Sequence, residues 1–109
     1  MTKTINIEQV SFEIILHAGN ARSSAMEALQ VVKQGDYKQA DDKMEEAESE
    51  LHKAHQTQTS LLQKEATGEG ATPSVLLIHA QDHLMTAMTL KDMAKEMIDL
   101  YKEIRGGKE

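Results

Sequence analysis

The stretch Val75-Leu76-Leu77-Ile78-His79-Ala80-Gln81-Asp82-His83-Leu84-Met85-Thr86 concentrates the reactive side chains of the chain. His79 lies three residues before Asp82 and four before His83, so on a helix these side chains are neighbours. Imidazoles at H-x-x-x-H spacing can bind a metal, but no Glu follows the first His, as the metalloprotease pattern requires. A neutral imidazole can also act as a covalent nucleophile. On a small acidic chain without pocket-building loops, a phosphoryl relay on histidine is the natural candidate. His52 and His55 repeat the pairing beside a run of charge and read as surface residues. His17 stands among apolar residues and reads as a core-edge histidine.

Several chemistries are excluded. The chain has no Cys, which removes disulfides, thiolate metal sites and a Cys nucleophile. It carries no G-x-x-x-x-G-K-[ST] loop, no Rossmann glycine fingerprint and no G-x-S-x-G elbow. Aromatic residues make up 3% and the net charge is −6, which argues against nucleic acid as a partner. No targeting segment or membrane span is visible, so a soluble cytoplasmic protein is expected.

The elements that must position these residues follow from an i, i+3, i+4 apolar pattern in a chain of 109 residues, the size of one domain. The predicted architecture is all-α, an antiparallel up-down-up three-helix bundle. Helix 1 is expected over about residues 7–34, with Asn6 as N-cap and Gly35 as C-terminal cap, and Gly19-Asn20 as a place to kink. Helix 2 is expected over about 37–66, capped by Asp36, with its charged side in solvent. Thr67 to Ala71 form a loop. Helix 3 is expected over about 73–104, with Thr72 as cap and Pro73 in the first turn, ended by Gly106-Gly107.

On a wheel, helix 3 has two apolar sides. Val75, Ile78, Asp82, Thr89, Met93 and Leu100 make one stripe, and Leu77, Leu84 and Met88 make another almost opposite. Helices 1 and 2 can cover only one side, so a homo-oligomer with helix 3 at its centre is expected. Lys91, Lys95 and Lys102 suggest that this double burial stops beyond Leu90. Asp82 sits within the longer stripe. It is either a buried carboxylate satisfied by hydrogen bonds or a residue at a symmetry axis. In the second case its copies converge and must share protons or bind a hard cation such as Mg²⁺.

The string at positions 75–86 resembles the signature of the lactose/cellobiose-type IIA components of the bacterial sugar phosphotransferase system. Phe12-Glu13-Ile14-Ile15, Ala18-Gly19-Asn20-Ala21-Arg22-Ser23, Gly35-Asp36-Tyr37, His55-Gln56-Thr57-Gln58-Thr59 and Leu100-Tyr101-Lys102 extend the likeness over nearly the whole chain. The resemblance implies a homotrimer with helix 3 near the axis and one divalent cation shared by three copies of Asp82. It implies that His79 accepts a phosphoryl group through Nε2 from the phosphocarrier HPr. His79 would then pass the group to a Cys of the cognate IIB, in service of a membrane IIC permease for a β-linked disaccharide of the cellobiose, chitobiose or lactose class. His83 and Gln81 are candidate assistants. Gln81 points away from His79 on the wheel, which favours His83. Met85 and Met88 are either adaptable docking contacts or ordinary core residues. The alternatives are a trimeric helical interaction module without chemistry, and metal storage at the histidine pairs.

Overall fold

A computed structural model describes residues 6–70 and 72–105 of the chain. Its three helices are α1 (Ile7–Lys33), α2 (Tyr37–Ala66) and α3 (Val75–Ile104). Gly106-Gly107, expected to end the third helix, and residue 71 of the loop lie outside the described residues.

Each helix starts where a short polar side chain can take an orphan backbone N–H. Asn6 accepts from the Gln9 N–H at 3.0 Å, and Asp36 accepts from the Gln39 N–H at 3.1 Å. The third helix departs from expectation. Its cap is Ser74, whose Oγ accepts from the Leu77 N–H at 3.1 Å, and not Thr72. Pro73 therefore precedes the helix instead of occupying its first turn. Ser74 has the extended backbone that a cap requires, and its hydroxyl bond to Leu77 fixes the start of the helix there.

The ends of α1 and α2 share one device. Gly35 takes φ +86° and Gly68 takes φ +84°. After α1, Asp36 N–H donates to the Val31 carbonyl and Gly35 N–H to the Val32 carbonyl. After α2, Glu69 and Gly68 donate to Lys64 and Glu65 in the same way. Both are Schellman closures, which need a left-handed residue that glycine supplies without steric cost. Gly19-Asn20 does not break α1, which runs through it unbroken.

Cross-contacts fix the topology as up-down-up. Glu27 of α1 pairs with Lys43 of α2, and His17 pairs with Glu50. Lys102 near the end of α3 reaches Asp41 near the start of α2. Arg105 donates to the Val32 carbonyl at the end of α1, so α1 and α3 run parallel. Alanine dominates the core: Ala18, Ala21, Ala25, Ala47, Ala54, Ala80 and Ala94 are fully buried, with Ile14, Val32, Leu84 and Ile98 supplying bulk. Small residues let the helices approach closely, and they leave many large apolar side chains outside.

Most of those lie on α3. Val75 (84% exposed), Ile78, Met85, Met93, Met97, Leu100 and Ile104 (74%) run its full length, with Asp82 among them. The expected stripe is therefore the uncovered side. The opposite side does not end at Leu90 as the lysines suggested. Ala94 and Ile98 continue it in the core, while Lys91 and Lys102 lay their stems beside it and pair with Glu48 and Asp41. No helix among the described residues is long and apolar enough to cross a membrane.

Candidate functional site

The first three turns of α3 are held from behind. Ala80 and Leu84 are fully buried, and Leu77 is half-buried. With that side fixed, the helix period aims Val75, Ile78, Asp82 and Met85 outward and puts His79 at the edge of the exposed side. Val75, Ile78, His79, Gln81, Asp82 and Met85 line one shallow, open depression. Its floor is aliphatic and its polar groups are an imidazole, an amide and a carboxylate.

His79 is exposed and His83 half-buried. Their ring centroids lie 5.8 Å apart at an interplanar angle of 62°, an edge-to-face arrangement. His83 thus limits how His79 can turn without itself facing the depression. Gln81, set aside on the wheel, does line the depression with His79. The two residues are about 160° apart across the outward face and flank it from opposite sides, with Asp82 between them. Behind Gln81 stands Gln58 of α2, whose Nε2 donates to Gln81 Oε1 at 2.6 Å. Spacing within one helix gives no sign of this contact, because it depends on how α2 and α3 are set against each other.

The other histidines are elsewhere. His17 Nδ1 lies 2.7 Å from Glu50 Oε1 between α1 and α2, at the core edge as expected. Asn20 and Lys53 also donate to Glu50. The hydrogen bond from His17 is the main reason that the Glu50 carboxyl is held below the usual carboxylate range; burial opposes it, and Asn20 and Lys53 reinforce it. His52 and His55 are exposed and line a separate groove with Glu48, Leu51, Met88, Lys91 and Asp92. Met88 packs against the core, whereas Met85 faces the depression.

Among the described residues, no group of three or more His, Cys, Asp or Glu side chains is placed to hold a metal ion. Asp82 offers a hard oxygen donor on an uncovered apolar face. That donor suits a hard cation only where further copies of the chain bring theirs to the same point.

Residues 9–102 match the family described as PTS system, lactose/cellobiose specific IIA subunit. The chain is 56% identical over 98 residues to the lichenan-specific phosphotransferase enzyme IIA component of Bacillus subtilis, covering 90% of this chain and 89% of that protein. Its fold is similar to that of the cellobiose-specific enzyme IIA of Bacillus anthracis, with a TM-score of 0.89, 53% identity and 95% of each chain covered. It is also similar to IIA(chitobiose) of the Escherichia coli N,N'-diacetylchitobiose branch, in its complex with HPr. There the TM-score is 0.80 and the identity 35%, over 94% of this chain and 99% of that one. The chain belongs to the lactose/cellobiose-specific IIA subunits of the sugar phosphotransferase system.

Proposed function

We propose that this IIA subunit is a phosphoryl carrier that accepts its group from phospho-HPr on His79 and delivers it to a Cys of a cognate IIB. The observation that carries the reading is the setting of His79. It is an exposed imidazole at the rim of an open, partly apolar depression, on a helix immobilised by Ala80 and Leu84. The similarity to IIA(chitobiose) in complex with HPr supports the choice of donor. The sugar would be a β-linked disaccharide of the cellobiose, chitobiose or lactose class, moved by a membrane IIC permease.

The chemistry follows from the imidazole. Neutral His79 presents a nitrogen lone pair to the phosphorus of the donor phosphohistidine. A new N–P bond forms as the donor N–P bond breaks, and that electron pair returns to the donor nitrogen. A thiolate of IIB then takes the phosphoryl group in the same manner, and the pair returns to His79. His79 stands at the edge of the stripe and not in its middle, so two large partners can reach its imidazole in turn while copies of the chain pack on the stripe itself. Catalysis is mainly positioning and charge stabilisation, for which Gln81 and His83 are the neighbouring polar groups. The work takes place in the cytoplasm, where HPr and IIB act.

The uncovered stripe on α3 supports a homotrimer packed on that helix. Three copies of Asp82 would then meet at the axis and hold one divalent cation, with Mg²⁺ fitting an oxygen-only donor set. The cation would neutralise converging carboxylates.

Intact mass after incubation with phosphoenolpyruvate, enzyme I and HPr tests the carrier. One acid-labile phosphoryl group per chain, absent from His79→Ala, is the expected result. A correctly assembled wild type that takes no group from a matched HPr would leave an interaction module without chemistry as the better account.

A further inference from the structure

We propose that Arg22 and Lys33 of one copy pair with Glu96 and Glu103 of the next copy around the axis. The inference rests on the assembly through α3 proposed above and adds which flanks of neighbouring copies meet. All four residues are exposed, and none has an ion partner among the described residues. Lys38, Lys43, Lys53, Lys91, Lys95 and Lys102, by contrast, all pair within the chain.

The two bases share one line of α1. That helix turns His17, Asn20, Ser24 and Glu27 toward α2. Arg22 lies about 160° from Asn20 and so borders α3, and Lys33 falls within about 20° of Arg22. The two acids share the opposite flank. Gln81 bonds to α2 and marks the α2 edge of the uncovered stripe. Glu96 and Glu103 sit about 40° and 60° from Asp82 toward that edge, whereas His79 sits about 60° from Asp82 toward α1. The body of α3 therefore stands between the acids and the bases of one chain.

Heights match as well. Arg105 reaches the Val32 carbonyl, 73 residues earlier on the parallel α1. At that offset Arg22 falls about one residue short of Glu96 and Lys33 about three beyond Glu103, height differences of roughly 2 and 5 Å that long side chains span. Copies related by a rotation that closes a ring meet head to tail, so the α1 flank of one faces the α2 flank of the next. With Asp82 shared at the axis, the α3 helices are parallel and at one height. The bases of each copy then come opposite the acids of its neighbour. Exposed ion pairs add little affinity singly, but opposite charges across an interface set its register and exclude wrong juxtapositions.

Charge reversal tests the contact. Arg22→Glu and Glu96→Lys each set like charges against one another wherever two copies meet, and the double variant restores opposite charges with the polarity exchanged. Sedimentation equilibrium follows association, and circular dichroism shows that the helices are kept. We expect each single reversal to raise the chain concentration at half-dissociation by about tenfold or more, and the double reversal to return it to within about threefold of wild type. Unchanged association in both single variants, or losses that accumulate in the double variant, would overturn the proposal. A second readout is independent of reversed charges. The chain has no Cys, so Arg22→Cys with Glu96→Cys, treated with a short bis-maleimide, should give covalent trimers, where either single variant gives at most linked pairs. An assembled double-Cys variant that yields no covalent trimer would overturn the proposal as well. A wild type that stays a single chain at every concentration would overturn the assembly reading and this inference together, whereas an assembled wild type indifferent to both reversals would overturn this inference alone.

Discussion

His17 on α1 and Glu50 on α2 form a 2.7 Å contact at the edge of the core, with each side chain about one-fifth exposed. It ties the middle of α1 to the middle of α2, and Asn20 and Lys53 share the same carboxylate. The Glu50 carboxyl is held below its ordinary 4.5, chiefly by the His17 hydrogen bond. A carboxyl whose folded pKa is depressed stabilises the fold at pH above the unfolded value and loses that contribution as pH falls through the folded value. Thermal stability should therefore drop as the pH is lowered below about 4.5. Glu50→Gln should cost about 1 kcal/mol at neutral pH and flatten that part of the profile. Melting temperature against pH for the two proteins checks both.

The glycines should respond in opposite directions. Gly35 adopts φ +86° in the closure of α1, where an L side chain is strained, so Gly35→Ala should cost about 1 kcal/mol. Gly19 lies inside α1, and a Cβ there meets nothing within 4 Å. Gly19→Ala should add about 0.5–1 kcal/mol through the stiffer unfolded chain. Denaturant midpoints measure both. A loss at Gly19 would mean that this face of α1 is packed against a neighbouring copy in solution.

Ser11 is fully buried in α1, and its Oγ has no hydrogen-bond partner among the described residues. A hydroxyl desolvated without a partner costs free energy that a methyl group does not. Ser11→Ala should stabilise the protein by about 1 kcal/mol, read from equilibrium unfolding with an unchanged slope.

What could be read from sequence was mostly local. Asn6, Asp36 and Gly35 sit beside the apolar runs they terminate, and each of them does its expected work in the fold. The uncovered stripe of α3 was legible because a single helical period generates it. Ser74 was hidden by Pro73, which fits either before a helix or in its first turn. The buried side of α3 beyond Leu90 was misread from its lysines, whose long stems flank Ala94 and Ile98 while their charges pair with α2. The Gln58–Gln81 bond was beyond reach, since it exists only once two helices are docked in one register.

The face that carries Asp82 makes the most demanding prediction. Ile78 is 61% exposed and Leu100 54%, on the same side of α3 as the carboxylate. If copies pack on this side, Ile78→Lys replaces apolar burial with a desolvated charge. Loss of that burial alone, about 2–3 kcal/mol, weakens association by roughly a hundredfold. Sedimentation velocity should then show dissociated chains that keep their helical circular dichroism. The carboxylates set a separate sign. With a cation shared between copies of Asp82, a chelator leaves converging charges uncompensated and loosens the wild-type assembly. Asp82→Asn removes both the ligand and the repulsion, so its assembly should be indifferent to the chelator. Equal chelator sensitivity in the two proteins would place the cation elsewhere, and indifference in both would mean that no cation holds the copies together.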